Sequence, residues 1–462
     1  MIGKFRLTLI GAAAKQGPQS KGTAVEPREI KRIISESNVQ YLLVQFTDVL
    51  GHLKGIEVGG SRIDQVLFES LALDASAIVG RFRSKEVDGR LRPDLDTFAV
   101  LPFMDGGFRG ARMIADLAQA DGKPDGNCPR QVLRDIAQKV GARGLDVLVA
   151  PEVEFFIFRR NGNGEPTLTT HDVSGYLDFA PDEPGQAFRR DVVSALEKFG
   201  VAVRHAHHEI APGQHELGLM PMPPLECADA IVTLRYVAKA LAKDHGLIAT
   251  FMPKPRFELA GSGLHLELSA RSNGEDVFSF ERGKLSAVAR HFIGGLLEHA
   301  DGMCLLLNPL VNSYKRLVPG HEAPTHVYWS YSNIEPYVRV PYRSDGPAAI
   351  EVRAPDPSCN PYLSIAAVLA AGLDGVERKI APGEPIDKDI QRLSGREAGR
   401  LRVQPLPANL GEAVESFRKD RYLFGVMGEV ISRTVIRARS EEWESYIRQV
   451  HPWELDHYLV NT

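Results

Sequence analysis

Apolar and polar residues follow two spacings along this chain. "REIKRIISESNVQYLLVQFTDVLGHLKGIEV" passes from helical spacing into two strand-like runs, and "TFAVLPF" and "ARMIADL" continue as strands. This predicts a compact α/β unit ending near Asp121. "QADGKPDGN" follows as a turn-rich joint, and "PRQVLRDIAQKVGARG" opens a helix with proline in its first turn. Beyond it, strands carrying acids ("VLVAPEVEFFIF", "VAVRHAHHEI", "GLHLELSA", "IEVRAP") alternate with long helices such as "PLECADAIVTLRYVAKALAKDHG" and "LSIAAVLAAGLDGVERK". The acidic strands are joined without regular βαβ spacing, so the second unit reads as an α+β domain on a mostly antiparallel sheet.

The acids sit where strands should be buried. In "PEVEFFIF", a period of two puts Glu152 and Glu154 on the same face as Phe156 and Phe158. An ionised carboxylate there costs several kcal/mol, of order, unless a cation meets it. In "HHEIAPGQHEL", Glu209 closes a strand and Glu216 enters the next, and the Pro-Gly turn between them brings both toward one point. "GSGLHLELSA" aligns His265, Glu267 and Ser269 on one face, and "IEVRAPDP" does the same for Glu351 and Arg353. Glutamates with a single imidazole suit hard divalent cations, magnesium or manganese, better than zinc. "NPLVNSYKRLVPGHEAPTHVYWSYSNIEPYVRVP" adds Lys315, Arg316 and Arg339. Cations beside arginines describe a phosphoryl-transfer site, although the chain has neither a GxxxxGK[ST] loop nor a kinase glycine-rich loop. Taken singly, each motif also fits a half-exposed strand, a satisfied core histidine or a cross-strand charge pair.

Composition narrows the class. A hydrophobic share of 44% and a charged share of 25% over 462 residues describe a globular protein with one large core and a smaller domain. The net charge of −4 is spread without long runs, which argues against a nucleic-acid or membrane surface. Cys128, Cys227, Cys304 and Cys359 lie far apart in no zinc or redox spacing, as expected of reduced thiols in a cytoplasmic protein. The first 24 residues imitate a signal peptide, but their apolar stretch is short and interrupted, and they read as an arm.

"PEVEFF", "HHEIAPGQHEL", "ATFMPKP", "GSGLHLELSA", "NPLVNSYKRLVPGHEAP" and "EVRAPDPSCNPYLSIAAVLAAGLDGV" resemble, in order, the signature segments of class I glutamine synthetase. The resemblance runs from about residue 28 to the end and includes "LALDASAI" and "VHPWELDHYL". Beyond the arm over 1–24, it implies a β-grasp domain over 25–125 and a catalytic domain with a curved antiparallel sheet over 126–462. It also implies a homo-oligomer of two stacked hexameric rings with sites between neighbours. Glu154, Glu209 and Glu216 would hold a first magnesium or manganese ion, and Glu152, His265 and Glu351 a second that bridges ATP phosphates. Arg316 and Arg353 would bind the glutamate carboxylate and the acyl phosphate, Gly261 would lend backbone to glutamate, and Arg339 would stabilise ATP phosphate. Glu322 would close over the intermediate. Asp74 from the adjacent subunit would deprotonate the incoming ammonium, with Tyr176 and Glu209 completing that pocket.

Several positions depart from the family pattern. Ile334 and Ala349 stand at commonly basic positions, Ala260 replaces Asn, Glu267 replaces a frequent His, and Ala77 replaces a Ser of the ammonium pocket. Arg343 and Lys315 are the nearby cations available to compensate. Gln391 stands where regulated members carry a modifiable tyrosine, which argues against adenylylation. Three functions follow: an ATP-dependent ligase joining glutamate to a small primary amine, a glutamine synthetase using ammonia, or a weakly active structural or regulatory homologue.

Overall fold

The structure, a computed structural model, describes residues 26–78, 86–105, 107–179, 184–388, 390, 395–401, 403–460 and 462. The N-terminal arm and Gln391 lie outside the described residues.

The fold is α+β. Its smaller sheet contains β1 (Tyr41–Thr47), β2 (Leu53–Gly59), β3 (Leu71–Asp74), β4 (Asp88–Asp105) and β5 (Phe108–Gln119), ordered β2-β1-β5-β4-β3. β1 and β5 run parallel while the other pairs are antiparallel, the β-grasp arrangement. The chain reaches β1 through the helix Pro27–Glu36, which buries Ile30. Alternation along central β5 serves two surfaces. Ala111, Met113, Ala115 and Leu117 fill the small domain's own core, whereas Arg112 and Asp116 turn toward the larger domain.

That junction is polar and closed. From the helix Pro129–Ala142, Arg130 donates to Asp229 at 3.0 and 2.8 Å, to Asp116 at 3.0 Å and to Asp94 at 2.8 Å. Arg134 donates to the second oxygen of Asp116 at 2.8 Å, and the Tyr362 hydroxyl to Asp229 at 2.6 Å.

The larger domain is built on a ten-stranded sheet. Its spine is β6 (Asp146–Arg160), which pairs with β7 (Pro166–Thr170), β9 (Gln214–Leu219), β10 (Leu247–Thr250) and β11 (Leu264–Ser272), while β8 (Val203–His208) flanks β9. Beyond β11 lie the short strands Ile350–Val352, Val338–Arg339 and Trp329–Ser330. Val153, Phe155, Leu217, Leu264, Leu266, Leu268, Ile350 and Val352 form one apolar face, part of a core shared with the helices Pro224–Ala242 and Pro361–Arg378. The other face carries the acids.

Candidate active site

Residues opposite one another in a sheet share a face. His265 lies opposite Glu152, Glu216 opposite Glu154, and Glu267 opposite Glu351, with Arg339 next across. Register thus gathers side chains distant in sequence onto one patch. Twelve of the thirteen site residues expected from the sequence line a single cavity of about 580 Å³: Glu152, Glu154, Tyr176, Glu209, Glu216, Gly261, His265, Arg316, Glu322, Arg339, Glu351 and Arg353. The thirteenth, Asp74, ends edge strand β3 of the small sheet and is not part of this chain's own cavity wall. Ile334 and Ala260 also line the cavity, whereas Ala77 and Ala349 do not.

Glu154 is the most deeply placed acid. It accepts from the Gly263 amide at 2.9 Å and the Gln214 side chain at 3.0 Å. Gly263 leaves no room for a side chain: a Cβ there would lie 2.8 Å from the Arg316 guanidinium and 2.9 Å from His265 Nε2. Burial, with Glu209 and Glu216 nearby, raises Glu154 to about 8. Burial and Glu216 raise Glu209 to about 7. Glu152 is also raised by burial and Glu216, against the opposing pull of Arg204. His265 Nδ1 stands 3.6 Å from both Glu152 and Glu351, and burial followed by the Arg353 charge lowers it to about 3, so it is neutral and able to ligate.

Glu351 is the neutralised acid of the group, with Arg353 on one oxygen and Arg339 at 3.3 Å on the other. Arg316 is buried and donates to the backbone carbonyls of Ala354 and Arg353 at 2.8 and 3.1 Å. The two nearby cations available to compensate point elsewhere: the Lys315 ammonium sits 5.4 Å over the Tyr446 ring, and Arg343 is exposed on a loop. Neither lines the cavity.

Three functional neighbours escape the sequence reading: Arg204, His205 and His207. Arg204 bridges Glu152 and Glu267, 2.5 Å from each. That contact accounts for a glutamate at 267, since the two carboxylates share one guanidinium. His205 and His207 face Glu216 at 2.9 and 3.3 Å. Burial alone would lower His207, but Glu216 outweighs it and raises the imidazole to about 9. Burial alone would raise Glu216, but the two imidazoles hold it far below the carboxylate range. Regular register places His205 and His207 beside Glu216, and a β-bulge adds Arg204: Val203 pairs with Leu219 and His205 with Gly218, so Arg204 is the extra residue and also turns toward the acids. The density of basic residues in "RHAHHE" was the available signal.

Among the described residues, three sets of His and carboxylate side chains have ligand atoms mutually within 4.8 Å: Glu152, His265 and Glu351; His205, His207 and Glu216; and His171, Asp172 and His215. Glu154 and Glu209 stand outside these sets, and Glu216 is engaged by imidazoles. The third set is structural. Asp172 accepts from His171 at 2.7 Å, His208 at 2.9 Å and the Gly213 amide at 2.8 Å, and the Arg189 guanidinium occupies His215 Nδ1 at 2.6 Å.

Comparison with known proteins agrees with this geometry. Residues 38–120 match the family described as glutamine synthetase, beta-Grasp domain, and residues 126–458 match glutamine synthetase, catalytic domain. The chain is 45% identical over 438 residues to a glutamine synthetase of Thermus thermophilus, covering 94% of this chain and 98% of the relative. It is 40% identical over 434 residues to one of Staphylococcus epidermidis, covering 93% and 97%. Among solved structures, a GmaS/ADP complex superposes with a TM-score of 0.82 at 29% identity, covering 93% of this chain and 99% of that one. Ligand-free GmaS gives 0.80 at 29% identity, covering 92% and 98%.

Proposed function

The chain belongs to the glutamine synthetase family and is an ATP-dependent glutamate–ammonia or glutamate–amine ligase; from that premise we propose that its acceptor is a small primary amine and its intermediate γ-glutamyl phosphate. A carboxylate is inert toward amines, so ATP must first convert it to a mixed anhydride from which water is excluded. The amine arrives as a cation that acids attract and then deprotonate, freeing the lone pair that attacks.

The cavity has the parts this sequence of events needs. Carboxylates outnumber imidazoles around Glu152, Glu154 and Glu351, and burial with neighbouring carboxylates raises Glu154 and Glu209, so the donors fit magnesium or manganese. Glu152, His265 and Glu351 would hold one ion, and Glu154, Glu209 and Glu216 another. When bound, such ions offset charge on the ATP phosphates and on glutamate. Arg316 and Arg353 bind the glutamate carboxylate and the acyl phosphate, Gly261 offers its backbone to glutamate, and Arg339 meets the ATP phosphates. Glu322, on an exposed loop at φ 56°, closes over the intermediate. Glu209 and Tyr176 receive the ammonium together with Asp74 of a neighbouring copy in a ring assembly, because Asp74 lies outside its own cavity. Mixing Asp74→Ala subunits with Glu351→Ala subunits then restores activity beyond simple dilution. Recovery no greater than dilution refutes the shared site.

One observation carries the choice of acceptor. Ile210 follows Glu209 directly, is 44% exposed and lines the same cavity wall, beside the acid that would hold the amine. An alkylammonium can place its charge on Glu209 and its carbon against Ile210, each buried methylene contributing about 0.8 kcal/mol. Steady-state phosphate release with glutamate and ATP fixed, and ammonia or each of a panel of amines varied, tests this. We expect kcat/KM for at least one small primary amine to exceed that for ammonia several-fold, and Ala77→Ser to narrow the ratio. If ammonia wins throughout, the protein is a glutamine synthetase, the reading favoured by 45% identity to the Thermus enzyme.

A further inference from the structure

We propose that His205, His207 and Glu216 form a binding site for one divalent transition-metal ion of the zinc class, separate from the Glu152, His265 and Glu351 set. The site stands whether the acceptor is an amine or ammonia.

The donor chemistry differs from the rest of the cavity. Two imidazoles and one carboxylate make an N2O set, which borderline ions prefer and hard magnesium does not. Spacing agrees. Ligands about 2.0–2.2 Å from a tetrahedral ion stand roughly 3.3 Å apart. His205 Nε2 and His207 Nε2 lie 2.9 and 3.3 Å from the same Glu216 oxygen, and the three ligand atoms fall mutually within 4.8 Å. Tautomer also agrees. His207 Nδ1 lies 3.1 Å from the His208 carbonyl, which can only accept, so Nδ1 keeps its proton and an incoming ion displaces the one on Nε2, which faces Glu216.

The backbone is shaped around the second imidazole. Unbroken register from His207 to His205 puts both imidazoles on the acid face, where their rings stack at 5.4 Å and 19°. Opposite His205 stands Gly218, and a Cβ there would lie 2.3 Å from His205 Cε1 and 2.5 Å from Nε2. Only glycine leaves the ring in place. The fourth position opens onto the cavity that all three residues line. Because Glu216 also belongs to the carboxylate set proposed for magnesium, a zinc-class ion held here removes one of that set's ligands and inhibits the ligase.

Cobalt(II), a coloured zinc surrogate, reads the site without requiring turnover. Metal-free protein is titrated with Co²⁺ in excess magnesium while visible absorption is recorded, for wild type, His205→Ala and Gly218→Ala, with circular dichroism confirming each fold. We expect a ligand-field band in the wild type saturating at one equivalent, displaced by Zn²⁺, and weakened in affinity on the order of 100-fold in His205→Ala. Gly218→Ala should behave like His205→Ala. No band at saturating Co²⁺, or the same band and affinity in wild type and His205→Ala, overturns the proposal. The phosphate-release assay is separate, so failure of the amine reading leaves this outcome intact.

Discussion

Two buried clusters of charge sit in this molecule, and they are built on opposite terms. At the domain junction, Arg130 and Arg134 meet Asp94, Asp116 and Asp229 within hydrogen-bonding distance. Burial alone would raise Asp116, but the two guanidinium groups outweigh it and hold the acid below its ordinary value. In the cavity, Glu154 and Glu209 have no guanidinium on their oxygens among the described ion pairs, and burial with repulsion from neighbouring carboxylates, Glu216 among them, raises them to about 8 and 7. A closed network keeps its charges for cohesion; an open one keeps affinity for cations that arrive from outside. The direction of the shift separates Asp116 from Glu154 and Glu209, while Glu216, held low by its two imidazoles, is the cavity acid that breaks this pattern.

The comparison breaks most visibly at Arg130. Replacing it with Met leaves the acids at the junction without their central cation, and chemical denaturation should show a loss of about 3–5 kcal/mol. A loss below about 1 kcal/mol would mean the junction is not a stability element. Glu154→Gln should do the reverse: phosphate release falls on the order of 100-fold, while the metal-free protein melts no lower than wild type at pH 8. A lower melting temperature for the variant would place Glu154 among the structural acids.

A pH series sharpens the contrast with the smallest effect. Asp116 has a depressed folded pKa, so its stabilising contribution is present above the unfolded value of about 3.9 and disappears as pH falls through the folded value. Glu154 and Glu209 have raised folded values, so the metal-free protein loses stability as pH rises from about 4.3 toward 8. Magnesium competes with those protons. Its addition should therefore raise the melting temperature more at pH 8 than at pH 5, contributing up to about 2.7 kcal/mol at a hundredfold excess over Kd. An equal shift at both pH values would show that the ion binds elsewhere.

Much of the site was legible because its residues obey strand parity. Glu152 and Glu154 share a face in "PEVEFFIF", as do His265 and Glu267 in "GLHLELSA", and the sheet keeps both pairs in that relation. The buried thiols are likewise unpaired. Among the described residues no helix is long and apolar enough to cross a membrane. Lys315 misled because adjacency to Arg316 says nothing about direction: in the short helix Ser313–Arg316 the arginine turns inward to the Ala354 carbonyl and the lysine outward over Tyr446.

What the sequence determined by itself was which residues carry charge on apolar strands, because a period of two is a local property of the backbone. It also carried the order of segments that marks the family. Which strands lie side by side was decided only in three dimensions, since register joins positions more than a hundred residues apart, as in Glu152 with His265. The bulge at Arg204 was decided there too. Alternation puts His205 on the acid face and would send Arg204 to the opposite one, and one extra residue against β9 turns Arg204 toward the acids as well. That reversal depends on the neighbouring strand, and the His205 ring on the space left by Gly218, neither of which the local pattern of "VAVRHAHHEI" contains.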